Sequence, residues 1–338
     1  MRHLVGRIRF LPFCALLGAL LSACGGSAAT PSHPANSAAP SPSASGTLTV
    51  YAALTAQNGQ LLAQAFEKAY PQVKVNMVTG GTGLLLSRIA AEQRAGGVRA
   101  DVVLLADPTA MAGLNQEHLL AAYRPPQAKD LPAGMKGSDW VGAFTFNNVI
   151  IYHRGMSLPV PQSWTDLERP IYRDAVEIGN PAYSGTTLGL VGYLSQHYGW
   201  QYFNTLKQLG ATMVASTNTI GEDVASGRVD VGISLDVVAR DLKAKGAPVE
   251  LVWPKDGAVP VPAPVAIVAH HDSPAARQFE DWLLSAQGQA TVEKLGYVPV
   301  SGTSTLVPQG TPMAQVNWAA IEQQRNTILQ TIHRLFGQ

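Results

Sequence analysis

Val102-Val-Leu-Leu-Ala106, closed by Asp107 and Pro108, decides the class of fold. The run is too short for a buried helix and lacks the alternation of a strand with one wet face, so it describes a strand covered on both sides. Working backward, Leu84–Arg94 has helical spacing and Val73–Val78 reads as a strand. Before these, Leu61, Leu62, Ala65, Phe66 and Ala69 mark one helix face behind a first strand at Thr47–Ala53. Strand, helix and strand around an all-apolar strand imply an α/β protein with a mostly parallel sheet flanked by helices.

Working forward, Pro125, Pro126, Pro132 and Gly134 interrupt the alternation, which resumes at Val149-Ile-Ile-Tyr152. A second α/β set follows. Its strands are expected near Val176–Gly179, Met213–Ala215, Val229–Ser234 and Val249–Trp253, and its helices near Thr187–His197, Gln201–Leu209, Ile220–Ser226 and Val237–Lys245. A Pro-rich strand Val259–Val268 and helices near Pro274–Leu284, Gly288–Leu295 and Ala314–Leu335 complete the chain. The part from Thr47 onward, about 290 residues, is long enough for two ordinary lobes.

The N-terminal segment reads as an address. Arg2, Arg7 and Arg9 precede an apolar run, Phe10–Leu21, that is too short to span a bilayer as a mature helix. Leu21-Ser-Ala-Cys24 resembles the lipobox of bacterial lipoproteins, which implies a signal peptide over residues 1–23 and an acylated Cys24. Residues 24–46 are almost entirely small and polar, as in a flexible tether. The remaining cysteine, Cys14, lies inside the signal segment, so the folded part has no disulfide framework. The expected location is outside the cytoplasm, held to a membrane by lipid at Cys24 and facing the periplasm or the cell exterior.

Charge is balanced, with 24 Lys and Arg against 23 Asp and Glu, and no basic run follows the signal segment. That argues against nucleic acid as a partner. A catalytic reading finds no support, since there is no Gly-x-Ser-x-Gly elbow, no His-Glu-x-x-His, no Walker loop and no cysteine nucleophile in the folded part. No enzyme activity and no cofactor are expected. His270-His271 leaves a strand, its two rings pointing to different sides as surface residues.

A series of short pieces occurs in a characteristic order: Leu48-Thr-Val-Tyr-Ala52, Ala65-Phe-Glu-Lys-Ala-Tyr-Pro71, Gly80-Gly-Thr-Gly83, Arg88-Ile-Ala-Ala-Glu92 and Ala100-Asp-Val-Val103, then Ser163-Trp-Thr-Asp-Leu167, Ser184-Gly-Thr-Thr187, Val224-Ala-Ser-Gly227, Gly246-Ala-Pro248 and Gly296-Tyr-Val-Pro-Val300. In this order they resemble the class II periplasmic binding proteins, in the branch that holds ferric-ion, phosphonate, phosphosugar and thiamine binders. The resemblance implies a type II two-lobe fold whose chain crosses between lobes near Phe146 and again near Pro262–Ala266. Lobe 1 would comprise 47–145 plus 265–338, and lobe 2 would comprise 146–264. It also implies a ligand between the lobes, a hinge motion on binding, a monomer, and the permease subunits of an ABC importer as partners.

Several residues are candidates for holding the ligand. Gly80-Gly81-Thr82-Gly83 follows a strand and opens a helix, where free N–H groups and the helix dipole favour an anion; the alternative is a helix start needing positive φ. Ser184-Gly185-Thr186-Thr187 repeats the arrangement in the second lobe, with an ordinary N-cap as the alternative. Because open α/β sheets bind ligands at the carboxyl ends of their strands, Ala53, Leu54, Thr55, Asp107, Ser234 and Asp236 join them. Asp107 or Asp236 could pair with an amino group on a zwitterionic ligand, or simply cap a helix.

The expected solute is a small oxyanion such as a phosphonate or phosphate ester. Ferric ion is the alternative within transport; the resemblance implies an adjacent tyrosine pair for it, and Leu235-Asp-Val-Val-Ala239 stands in that place, leaving Tyr51, Tyr152, His153 and Tyr183 as the hard donors. A ligand sensor or interaction module for a signalling receptor is the reading from another class.

Overall fold

The computed structural model describes residues 45–337. The signal segment, Cys24 and nearly all of the tether lie outside the described residues. In chain order the elements are β1 (Gly46–Ala52), α1 (Ala56–Ala69), β2 (Val73–Thr79), α2 (Thr82–Arg94), β3 (Val102–Leu104), α3 (Pro108–Gln116) and β4 (Val141–His153). Then come β5 (Val176–Gly179), α4 (Gly185–Tyr198), α5 (Trp200–Gln208), β6 (Thr212–Val214), α6 (Thr217–Ser226), β7 (Val231–Leu235), α7 (Asp236–Ala244) and β8 (Val249–Val252). The last are β9 (Val259–Ile267), α8 (Pro274–Leu284), α9 (Ala286–Lys294), β10 (Val298–Pro299) and α10 (Trp318–Phe336).

The strands form a continuous sheet in the order β2-β1-β3-β9-β4-β7-β5-β6, with β8 and β10 also on β4. At each end the pairing is parallel, β1 with β2 and β3, and β5 with β6 and β7. The middle is antiparallel. The first part of β4 pairs with β9 from Val141↔Val265 to Asn148↔Val259, and its last part pairs with β7 and β8. The long strands β4 and β9 therefore tie two α/β lobes together.

The parallel ends are covered on both faces, as the all-apolar strand requires. In β1, Leu48 and Val50 point into a core with Phe66, Phe279 and Trp282, while Tyr51 points the other way into one with Leu85, Ile89 and Met111. Phe66 is edge-on to both Phe279 (5.0 Å) and Trp282 (5.4 Å). Each such ring, fully buried, contributes about 1.5–3 kcal/mol of transfer free energy. The second lobe repeats this with Ile178, Leu188, Tyr202 and Phe203 on one face and Ile151, Ile220 and Val224 on the other.

Two features differ from the sequence reading. Helix α3 fills a stretch that had no assigned element, with Asp107 as N-cap and Pro108 in its first turn. Helix α10 was expected with everything after residue 265 in the first lobe; instead Ile321, Ile328, Ile332 and Phe336 are buried in the second-lobe core beside Leu188 and Phe203. The physical reason is its register: residues 321, 328 and 332 make one apolar stripe, and α4 offers Gly189 and Gly192 as grooves for Trp318 and Ile321. Among the described residues, no helix is long and apolar enough to cross a membrane.

Candidate ligand-binding site

A cleft of about 520 Å³ opens between the lobes, within the size range of small-molecule sites. Its walls are helix starts. Thr55 caps α1, its hydroxyl accepting from Asn58 N (3.2 Å). Gly81 is the N-cap of α2 and offers no side-chain acceptor. From the second lobe, Ser184 caps α4 through Thr187 N (3.3 Å), and Ser216 caps α6 through Thr219 N (3.1 Å). The start of α7 adds Val237 and Val238.

These starts converge because each follows a strand end on the same side of the sheet, where a parallel α/β unit must turn from strand to helix. First-turn amides have no intrahelical acceptor, and each helix start carries roughly half a positive charge. Hydroxyls of Thr82, Thr186, Ser216 and Thr217 share the wall with these amides, while Leu54, Phe146 and Tyr297 supply apolar surface. The charged lining residues are Glu222, Asp241 and Lys245. Lys245 Nζ pairs with Asp241 Oδ2 (2.7 Å) and reaches Gln57 Oε1 of α1 (3.5 Å) across the lobes. With that pair neutralised internally, Glu222 is the remaining charged lining residue, and the donors facing the cleft are first-turn amides and hydroxyls.

Of the residues expected to bind, Ala53, Leu54, Thr55, Gly81, Thr82, Ser184, Gly185 and Thr186 do line this cleft, and Gly80 with them. Four do not. Gly83 gives its N–H to Tyr183 O (3.1 Å). Asp107 is buried and caps α3, its Oδ1 accepting from Thr109 N and Oγ1 (both 2.8 Å); burial pushes its carboxyl above the usual range. Asp236 is saturated by Asn147 N (3.2 Å), Asn147 Nδ2 (2.9 Å), Val237 N (2.9 Å) and Arg240 Nη2 (2.8 Å). Ser234 Oγ donates to Thr217 O (2.8 Å), holding the start of α6. The reasons differ: Asp107 Oδ1 is taken by the first turn of the helix it caps, whereas Asp236 is taken mainly by Asn147 of β4 and by Arg240 one turn along α7.

Sequence reasoning missed Ser216, Thr217, Asn218, Glu222 and the α7 face. The signal was available at Ser216, a hydroxyl directly after a strand and before a helix, the same pattern that picked out Ser184. Asn58 and Tyr297 were also missed; Asn58 Nδ2 donates to Tyr297 Oη (2.8 Å). Burial pushes the Tyr297 phenol up, keeping it neutral. The tyrosines lining the cleft are Tyr183 and Tyr297, whereas the Tyr51 hydroxyl donates to Glu92 Oε1 (2.6 Å) on the far side of α2. His271 Nδ1 lies 2.8 Å from Asp101 Oδ1, whose Oδ2 accepts from Thr49 N (2.6 Å), so it pins the first lobe together. Among the described residues, no group of three or more His, Cys, Asp and Glu converges as a metal-holding set.

Two α/β lobes joined by paired strands around a polar, capped cleft define a solute-binding protein of the periplasmic type. Residues 48–298 match the model of the bacterial extracellular solute-binding proteins, and the chain belongs to that family. It is 29% identical over 319 residues to a probable ABC transporter periplasmic-binding protein, y4fP, of Sinorhizobium fredii, covering 87% of this chain and 88% of that one. Similar solved structures include AfuA of Actinobacillus pleuropneumoniae with fructose-6-phosphate bound (TM-score 0.76, 22% identity, 86% of this chain and 98% of that one). Iron-bound HitA of Pseudomonas aeruginosa is another (TM-score 0.73, 22% identity, 85% and 99%). The family consists of exported binders, and this chain is a binding protein rather than an enzyme.

Proposed function

We propose that this protein is the capture subunit of an ABC importer, anchored through lipid at Cys24, that closes as a monomer around a small oxyanion such as a phosphonate or phosphate ester. The observation carrying the reading is the convergence of the α1, α2, α4 and α6 starts on one cleft without a guanidinium among its lining residues. The oxygens of a tetrahedral anion accept from first-turn amides and from the Thr82, Thr186 and Thr217 hydroxyls. Similarity to a named ABC periplasmic-binding protein supports the importer assignment. The sugar-phosphate-bound and iron-bound neighbours point to different solutes. Leu235-Asp-Val-Val-Ala239, standing where an adjacent tyrosine pair would be needed, favours the oxyanion over a tyrosinate-held iron.

Lobe 1 is assigned residues 47–145 with α8, α9 and β10, and lobe 2 residues 146–264 with α10. The permease and ATPase are the expected partners. Titration calorimetry of the purified chain with inorganic phosphate, methylphosphonate and fructose 6-phosphate tests the reading, with Thr186→Val expected to weaken binding about tenfold by removing one donor to a charged group. Neither heat nor a thermal shift with any of the three would reject it.

A further inference from the structure

The glycines of the two loops first read as anion cradles make a different contact. A Cβ added to Gly83 would lie 2.2 Å from Ala182 O and 3.0 Å from Tyr183 Cα, and one on Gly81 would lie 2.8 Å from Tyr183 O. From the other lobe, a Cβ on Gly185 would lie 2.6 Å from Asp107 Cβ, 2.7 Å from Ala106 O and 2.9 Å from Thr82 Oγ1. None of the three has positive φ, so conformational freedom is not why glycine stands there. Close approach of the opposing lobe is the reason, and most of the opposing atoms are backbone that cannot rotate away.

The Gly83 N–H to Tyr183 O bond (3.1 Å) spans this contact. Gly81 and Thr82 on one side and Tyr183 to Thr186 on the other also line the cleft, so the contact lies beside the ligand.

We infer that Gly81, Gly83 and Gly185 are specificity-determining positions: their Cβ-free contact is the stop that sets how near the α2 and α4 starts approach in the closed protein, and thereby holds the cleft to small head groups. For its ligand arm this rests on the oxyanion reading above. A methyl group at Gly83 must retreat from 2.2 Å to an ordinary contact. That wedges the two starts apart by about 1 Å or more, since carbon and its neighbours rest near 3.5 Å. A small anion then loses hydrogen bonds from one lobe, because these weaken steeply with length. A larger solute spanning the gap does not.

Two measurements on the full chain test this. In calorimetry, Gly83→Ala and Gly185→Ala are expected to lose about tenfold or more in affinity for phosphate and methylphosphonate, with fructose 6-phosphate affinity kept or raised. An unchanged profile, or an equal loss for all three, overturns the inference. The second measurement needs no solute. Spin labels at Gln93→Cys and Gln196→Cys, with Cys14 and Cys24 replaced by Ser, report the separation of α2 and α4 by pulsed electron resonance. The wild type is expected to show a short-distance population that Gly83→Ala abolishes. Loss of that population with no binding of any oxyanion would retain the stop and reject the oxyanion. Its absence in the wild type, or its persistence in Gly83→Ala, overturns the stop. An unchanged circular dichroism spectrum establishes that both variants fold.

Discussion

Arg240 Nη2 lies 2.8 Å from Asp236 Oδ2 and 2.7 Å from Gly296 O, so one guanidinium neutralises a buried acid at the start of α7 and ties that helix to the turn before β10. Asp236 in turn accepts from Asn147 in β4, the strand that joins the lobes. The acid weighed as a partner for a ligand's amino group is thus part of the frame around β4. Arg240→Met keeps the aliphatic stem and removes the charge. It is expected to cost about 2 kcal/mol, the value of a hydrogen-bonded charge whose buried partner is left short of a donor. Urea unfolding at neutral pH measures it. A loss below about 0.5 kcal/mol would mean that the donors from Asn147 and Val237 satisfy Asp236 alone.

How far the sequence could be read follows from the range of the forces involved. Strand-to-helix alternation is local, so Val102–Ala106 and its neighbours revealed an α/β protein, and hydroxyls or glycines at strand ends located Thr55, Gly81, Thr82 and Ser184 in the cleft. Asp107 and Asp236 stayed open between a ligand's amino group and a structural role because the partners that hold Asp236, Asn147 and Arg240, become visible only in the folded chain, while Asp107 caps α3 through Oδ1. The glycines of Gly80–Gly83 were legible as special, but not as the meeting point with Tyr183, which lies about a hundred residues away in sequence and is brought there by the packing of the second lobe.

Helix α10 shows the same limit and yields a second prediction. Its apolar stripe announced a buried helix but not which core would take it, a choice made by the glycine groove on α4. Ile328 is fully buried in the second-lobe core. Ile328→Ala is therefore expected to cost about 3 kcal/mol, the usual range for a core isoleucine emptied to alanine. Local hydrogen exchange should rise in α4 and α5 more than in α1 and β2. A loss confined to the first lobe would place α10 elsewhere.

Glu280 in α8 carries the third prediction. It is 2% exposed, its Oε1 has no hydrogen-bond partner among the described residues, and burial, with Asp281 and Asp272 nearby, pushes its carboxyl up to about 8. In the unfolded chain the same group ionises near the ordinary value of about 4.3. Between these two values the folded state holds a proton that the unfolded state has released. The stabilising protonated form is therefore fully present below the lower value and is lost progressively as pH rises to the higher one. This group alone should lower stability by up to about 1.4 kcal/mol per pH unit within that window. Glu280→Gln keeps the shape and removes the titration. Its melting temperature is expected near that of the wild type at acid pH and above it at mildly alkaline pH, so that the two curves diverge as pH rises. Parallel curves for the two proteins would show that Glu280 is ionised in the folded state and has found a donor.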